Sequence, residues 1–467
     1  MTSIHSWLFA FLVLLLLQCC VTDPQYIPYT LKDSAGQAEW LIPDSYGWHL
    51  RAADVHLNFQ AFGATRHFLL SRNVPLPGTQ VVVATAKSAE SRPAPNMQIF
   101  VGHGAVLTVV GDRLEGIVQF DGRFYDVQTG TRSTLPLTLT PTGDARSAKR
   151  TAQTQEFAPE QIERWTDCYS GDETPHRALI GLAMGSKLYN RFGSIELATQ
   201  FLYSMVASAN LIYEPQMNIV LTPHKLYIQS THTGAPAWDQ GPSCPMTIQE
   251  QTRALQYWEP PEPLALWMLF DDCVPTGAEA VTATVGWALR RNLCRLDGVV
   301  ESDGRRKFSN VAVSWWTPDI WSTFAHEVGH VFGAEHSFEE GEGQTGGIMD
   351  YGDGTYQGIF QFNTQYRKKE ICTILTRAVN DACPAIVPFT PVCGNSIVEP
   401  GETCECAGGL TRCAFCTGCH LEPGRECTPD GITSQCCTTD GKRAGTNETC
   451  TSAIDGSVGY CVAGECV

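Results

Sequence analysis

Three histidines, His326, His330 and His336, with Glu327 beside the first, are the residues of this chain best suited to metal chemistry. They stand in the run His326-Glu327-Val328-Gly329-His330-Val331-Phe332-Gly333-Ala334-Glu335-His336. Helical geometry brings two histidines four apart onto one face, about one turn from each other. Two neutral imidazoles so placed can share a zinc ion. Gly333 lets the chain leave the helix at a backbone angle other residues resist, so that His336 can return as a third ligand. Three protein ligands leave the fourth zinc position open to water, the arrangement of a catalytic site and not of a structural one. Glu327 is then the general base for that water. The set predicts a zinc site that hydrolyses peptide bonds.

A buried helix with one polar edge has to carry these groups. Thr317-Pro318-Asp319 supplies its entry, with a capping residue and Pro in a tolerated position. Ile320, Phe324, Val328 and Val331 fall in one arc of the helical wheel and should bury it, leaving the ligands to one side. Further on, Met349 stands in Gly346-Gly347-Ile348-Met349-Asp350-Tyr351-Gly352. Helix, third histidine and Met together resemble the metzincin zinc proteases, in which a tight turn carrying a Met lies under the metal. The flanks are similar to the adamalysin branch, the ADAM proteases: Thr284-Val285-Gly286-Trp287-Ala288 before Cys294 resembles the strand ahead of the active-site helix there. Ser337 departs from the Asp that adamalysins usually place after the third His, and matches matrixins instead. The resemblance implies an α/β catalytic domain with a mostly parallel sheet plus the active-site helix.

The chain of 467 residues has room for several domains. An apolar stretch from Trp7 to Leu17 has signal-peptide length and is too short to cross a bilayer, so residues 1–22 are read as a signal peptide and the mature chain as secreted, without a membrane span. Of 20 Cys, Cys19 and Cys20 lie in that segment and the other 18 begin only at Cys168, which suits an oxidised, disulfide-stapled product. Residues 23–150 hold 12 basic and 11 acidic side chains, so the net charge of −17 comes from residues 151–467. That balance excludes a nucleic-acid partner, because phosphates need a positive surface.

Short apolar runs at Gln80–Ala84 and Gln98–Gly102, and a hairpin formed by Gly116–Gly122 with Phe124–Val127, predict a β-rich domain over 23–150. It is similar to the propeptide of ADAM proteases. Lys149-Arg150, in a polar stretch, is its expected processing site. Residues 151–390 alternate helix and strand patterns, as the catalytic domain should. An amphipathic helix is expected over Ile195–Ala209, burying Leu197, Phe201, Met205 and Ala209. Strands are expected at Asn218–Leu221, Leu226–Ile228, Val281–Ala288 and Asn310–Trp315.

Residues 391–467 open with Val392-Cys393-Gly394-Asn395-Ser396-Ile397-Val398-Glu399-Pro400-Gly401-Glu402-Thr403-Cys404-Glu405-Cys406, which closely resembles the start of an ADAM disintegrin-like domain. Twelve Cys between 393 and 466 make a disulfide-rich, loop-dominated module with too little apolar material to fold unstapled. The resemblance implies calcium ligands at Asn395, Glu399 and Glu402, with Glu405 where the family has Asp; oxygen donors suit that hard cation. Asn447-Glu448-Thr449 is a glycosylation sequon. The expectation is a multidomain, secreted zinc endopeptidase made as a zymogen. Its substrates are polypeptides, and its disintegrin-like module is placed to engage a cell-surface receptor. A non-catalytic adhesion protein acting through that module, or a matrixin-type protease, are the alternatives. No Cys lies between Cys20 and Cys168, so a propeptide thiolate cannot silence the zinc. The region must then cover the cleft, offer the zinc a His or a carboxylate, or not inhibit at all; His49, His56, His67 and His103 are the histidine candidates.

Overall fold

The computed structural model describes parts of residues 25–49, most of 54–142, all of 162–276 and 283–337, then 339, 341, 345–349, 360–389 and parts of 402–466. Residues 1–22, expected to be a signal peptide, and Lys149, Arg150, Asn395, Glu399, Glu405 and Asn447 lie outside the described residues.

The central element is an eight-stranded sheet. Its strands are β1 (Gln80–Ala84), β2 (Ala89–Pro93), β3 (His176–Met184), β4 (Ile219–Gln229), β5 (Trp267–Asp271), β6 (Gly286–Ala288), β7 (Val311–Trp315) and β8 (Ile386–Pro388). The order runs β6-β7-β5-β3-β4-β1-β2, with β8 beside β3. Pairings β7–β5, β5–β3, β3–β4 and β4–β1 are parallel; β6, β8 and β2 are antiparallel to their neighbours. The mostly parallel sheet expected from the resemblance is therefore present. Parallel strands are covered on both faces, and β5 and β7 are buried at every position.

Three helices matter here: α1 (Ile195–Met217), α2 (Ile320–Phe332) and α3 (Thr364–Asn380). Ser194 caps α1 by accepting from Leu197 N, and the helix runs eight residues beyond the expected Ala209. Its expected apolar stripe is corrected by the structure: Leu197 is 46% exposed, and the buried positions include Ala198, Leu202, Tyr203 and Val206. The physical reason is that α1 lies between two sheets, so no single stripe describes its burial. On one side it packs on β4; on the other Gln200 Nε2 donates to Val109 O at 2.7 Å and Gln200 Oε1 accepts from Gln98 N at 3.0 Å. The two strands expected at Asn218–Leu221 and Leu226–Ile228 are one, β4, with a register shift opposite Ile180 and Gly181 that accommodates Pro223. Of the strand expected over Val281–Ala288, only Gly286–Ala288 is described as strand.

The N-terminal region builds a nine-stranded antiparallel sheet that includes the expected hairpin, Arg113–Phe120 with Arg123–Gln128. It has its own core, with Val55, Leu57, Leu70, Leu107 and Val118. It is also joined to the domain built around the central sheet. The Gln80–Ala84 strand belongs to that sheet, paired in parallel with Lys225–Gln229 of β4. Val81, Ile99, Val106, Ile117 and Phe124 share one continuous core with α1 and α2. Phe124 stacks on Trp321 at 5.7 Å and meets Phe360 edge-on at 5.8 Å. Pairs of this kind contribute about 0.5–1.5 kcal/mol beyond their buried area.

Disulfides Cys168–Cys372, Cys244–Cys273 and Cys294–Cys383 staple the domain around the central sheet, and Cys404–Cys416 and Cys427–Cys437 staple the C-terminal module. Among the described residues, no helix is long and apolar enough to cross a membrane.

Candidate metal centre

Helix α2 enters after Thr317, whose hydroxyl donates to Asp319 Oδ1 at 3.1 Å, although Asp319 makes no side-chain cap. Ile320, Phe324, Val328 and Val331 are all buried, as the wheel predicts, and they fix the helix rotation. From α1, the Tyr213 hydroxyl donates to Ala325 O at 2.7 Å and ties α2 in place. Gly333 ends the helix at φ 116°, a conformation only glycine adopts readily.

The three histidines converge. His336 Nε2 lies 3.0 Å from the Nε2 atoms of both His326 and His330. Nδ1 of His326 hydrogen-bonds Ile348 O and Nδ1 of His330 hydrogen-bonds Ala334 O, both at 2.7 Å, while His336 Nδ1 lies 3.2 Å from Glu339 Oε1 as an ion-pair contact. For His326 and His330 the backbone acceptor holds the Nδ1 proton outward and turns the Nε2 lone pair inward, and the Nε2 atoms of all three converge, an arrangement that a cation would stabilise. Burial works the same way. It drives His326 down to about 3, holds His330 well below the usual imidazole range and lowers His336, so that all three are neutral ligands. Among the described residues, this is the one group of three or more His, Cys, Asp or Glu side chains able to share an ion. Tetrahedral nitrogen ligation needs donors about 3.3 Å apart, given metal–nitrogen distances of about 2.0–2.1 Å, so the residues present fit the metal.

Glu327 is buried beside the triad, and among the described residues its Oε2 has no hydrogen-bond partner. Burial pushes its carboxyl well above the usual carboxylate range. Gly286, on the edge strand β6, lies over it: a Cβ there would stand 2.1 Å from Glu327 Oε1 and 2.8 Å from Thr323 Cγ2. Beneath the ligands, Met349 is buried, with Sδ 3.0 Å from the position a Cβ on Gly329 would take. The Met turn therefore does two things: its sulfur fills the floor, and its Ile348 carbonyl orients His326.

The comparisons with known proteins agree with this geometry. Residues 175–368 match the reprolysin-type family model described as Metallo-peptidase family M12. That region is similar to an adamalysin-type metalloprotease domain. It is 28% identical over 303 residues to disintegrin and metalloproteinase domain-containing protein B of Aspergillus fumigatus, a match covering 57% of this chain and 37% of that protein. It is also 28% identical over 176 residues to human disintegrin and metalloproteinase domain-containing protein 15, covering 35% of this chain and 19% of that one. The matched region thus spans well under half the length of these relatives. Among solved structures, metalloproteinase-II from Bacteroides fragilis aligns with 68% of this chain and 90% of its own at a TM-score of 0.37 and 13% identity, too slight a likeness to bear on the fold.

Several residues that shape this candidate metal site give no signal in the sequence motif. Gly286 makes room for Glu327, and the carbonyls of Ile348 and Ala334 orient two ligands. Of the N-terminal histidines, His56 is buried in the nine-stranded sheet and His67 Nδ1 contacts Asn58 Oδ1 at 2.6 Å. Neither belongs to the metal-holding group, and His103 lies outside the described residues. His49 ends the short strand Gly47–His49. Of the calcium candidates only Glu402 is described, half-buried next to Cys404.

Proposed function

We propose that the chain is a secreted zinc endopeptidase, made as a precursor, that hydrolyses peptide bonds of extracellular or cell-surface proteins. The observation that carries this reading is the convergence of three neutral Nε2 donors, two on α2 and one just after it, beside the buried Glu327, within the region matched by the M12 family model. His326, His330 and His336 would hold the zinc, which when bound supplies Lewis acidity to a water and to the scissile carbonyl. Glu327 takes the proton from that water and delivers it to the leaving amine, from its buried position beside the ligands. Met349 supports the floor without doing chemistry. The outer edge of β6, beside Glu327, offers main-chain groups to an extended peptide, which would add as a further strand.

Secretion rests on the signal-like segment and the disulfides, and the C-terminal module is read as a disintegrin-like unit that engages a cell-surface receptor. Asn395, Glu399, Glu402 and Glu405 would ligate calcium there, and Asn447 would carry a glycan. Chelating calcium should open residues 392–406 to added protease, and zinc alone should not restore protection. Unchanged digestion and an unchanged melting temperature would remove the calcium site.

Cleavage after Arg150 would convert the precursor. The contacts described between the two regions suggest that the N-terminal domain stays in place afterwards. β1 pairs with β4, Ser230 N and Oγ both donate to Ala84 O (2.9 and 2.8 Å), and Phe124 packs on Trp321. Trp321 precedes His326 and His330 by five and nine residues, so it projects from α2 on nearly the opposite side from the ligands. The test uses the purified full chain, cut or uncut at this bond, with Lys149-Arg150→Ala-Ala as the uncuttable control. The cut form should hydrolyse a peptide library faster than the control, lose that activity to a chelator and regain it with zinc. Its two fragments should elute together in gel filtration and part only in denaturant. Equal activity of cut and control forms would end the zymogen reading; separate elution would end the retained-domain reading.

A further inference from the structure

The third ligand, His336, follows the helix on a loop, and loops hold geometry poorly unless something fixes them. Here the fixing group is a buried ion pair on α3. Arg367 is 1% exposed and pairs with Glu370 one turn along, NH1 lying 2.9 Å from Oε2 and 3.1 Å from Oε1. The pair brackets the residue before the ligand. Arg367 NH1 donates to Glu335 O at 2.6 Å, while Glu370 Oε2 accepts from Glu335 N at 3.0 Å. On the far side of the ligand, Arg367 NH2 reaches Ser337 Oγ at 3.4 Å, and Ser337 Oγ contacts Thr345 Oγ1 in a short hydrogen bond. α3 also presses up against the turn: a Cβ on Gly333 would meet Ile374 Cγ1 at 2.7 Å and Glu370 O at 3.0 Å.

From this geometry we propose that Arg367 and Glu370 are positioning residues that set the direction from which His336 meets the metal; the proposal rests on the metal-centre reading above. A buried ion pair is a poor device for stability alone, since well-packed apolar residues of similar volume often serve as well or better. What apolar residues cannot supply is a donor and an acceptor held on one rigid helix, one for each end of the Glu335 backbone. Arg suits this because its planar fork addresses Glu370, Glu335 O and Ser337 together, whereas Lys presents a single point charge. The position after the third histidine is Ser337, where adamalysins usually have Asp, and its hydroxyl is the group the Arg367 fork reaches.

The experiment compares wild type, Arg367→Lys and Glu370→Gln as full chains, measuring zinc content, the rate of zinc loss to a chelator and melting temperature with and without zinc. Folded Arg367→Lys should release zinc about tenfold faster or more, the effect typical of groups that orient metal ligands. The rise in melting temperature that zinc gives should shrink accordingly. Cobalt substituted for zinc should show an altered absorption band in the variant, a signature that loss of stability alone would not produce. Wild-type release rate and cobalt spectrum in folded Arg367→Lys would overturn the proposal. If that variant does not fold, Glu370→Gln decides by the same readouts. Failure of both to fold with zinc, where His336→Ala folds, would also overturn it by making the pair structural. A wild-type chain that binds no zinc through the triad would instead refute the metal-centre reading.

Discussion

Replacing Glu327 by Gln should leave one zinc bound per chain and cut peptide hydrolysis by about 10²–10⁴-fold, the range a positioned general base contributes. The reason lies in the division of labour at the site. Nitrogen donors come from His326, His330 and His336, whose Nε2 atoms converge; Glu327 stands beside that group and is not part of it. His336→Ala should do the reverse and weaken zinc retention itself. The stability readout separates base from scaffold. Glu327 is buried, and its Oε2 has no hydrogen-bond partner among the described residues, so an amide of the same shape strands no partner of that oxygen. Removing the charge should therefore leave the melting temperature unchanged or raise it. Zinc content measured on the purified variant checks the assignment, and a proportional loss of zinc and activity would make Glu327 a ligand.

Adding one methyl group at Gly286 should cost nearly as much activity without touching a ligand. A Cβ there would stand 2.1 Å from Glu327 Oε1, far inside van der Waals contact. The nearest atoms it strikes are the end of the Glu327 side chain and, at 2.8 Å, the Thr323 methyl, so the carboxylate is displaced while the clash stays with side-chain ends and spares the backbone. The chemistry cannot follow, because a displacement of about 1 Å from the productive geometry can cost 10²-fold in rate. Gly286→Ala should then bind zinc normally, melt close to wild type and hydrolyse peptides about 10²-fold more slowly. Near-normal turnover would mean that Glu327 has a second productive position, or that it is not the base.

The motif on α2 was legible because each of its parts obeys a local rule. Histidines four apart share a helix face, Gly333 is the residue that can adopt φ 116°, and the apolar arc at Ile320, Phe324, Val328 and Val331 fixes which face turns inward. The mostly parallel sheet was legible through the resemblance that motif carries. The hairpin of Arg113–Phe120 with Arg123–Gln128 was legible through its alternation and its turn residues.

What the chain alone could not disclose depends on which surfaces meet. The apolar stripe expected on α1 failed because a second sheet covers the helix from the other side, and a one-sided pattern cannot anticipate a neighbour more than 80 residues upstream. The run Gln80–Ala84 was rightly read as a strand, yet its partner, β4, lies about 140 residues later, and parallel pairing leaves no turn signal between partners. Gly286, Ile348 O and the Arg367–Glu370 bracket act through backbone atoms or through space left empty, which residue type does not encode. The sequence thus determined which groups can bind and use a metal. Tertiary packing alone decided what holds them in place, because a ligand's direction is set by its contacts and not by its position along the chain.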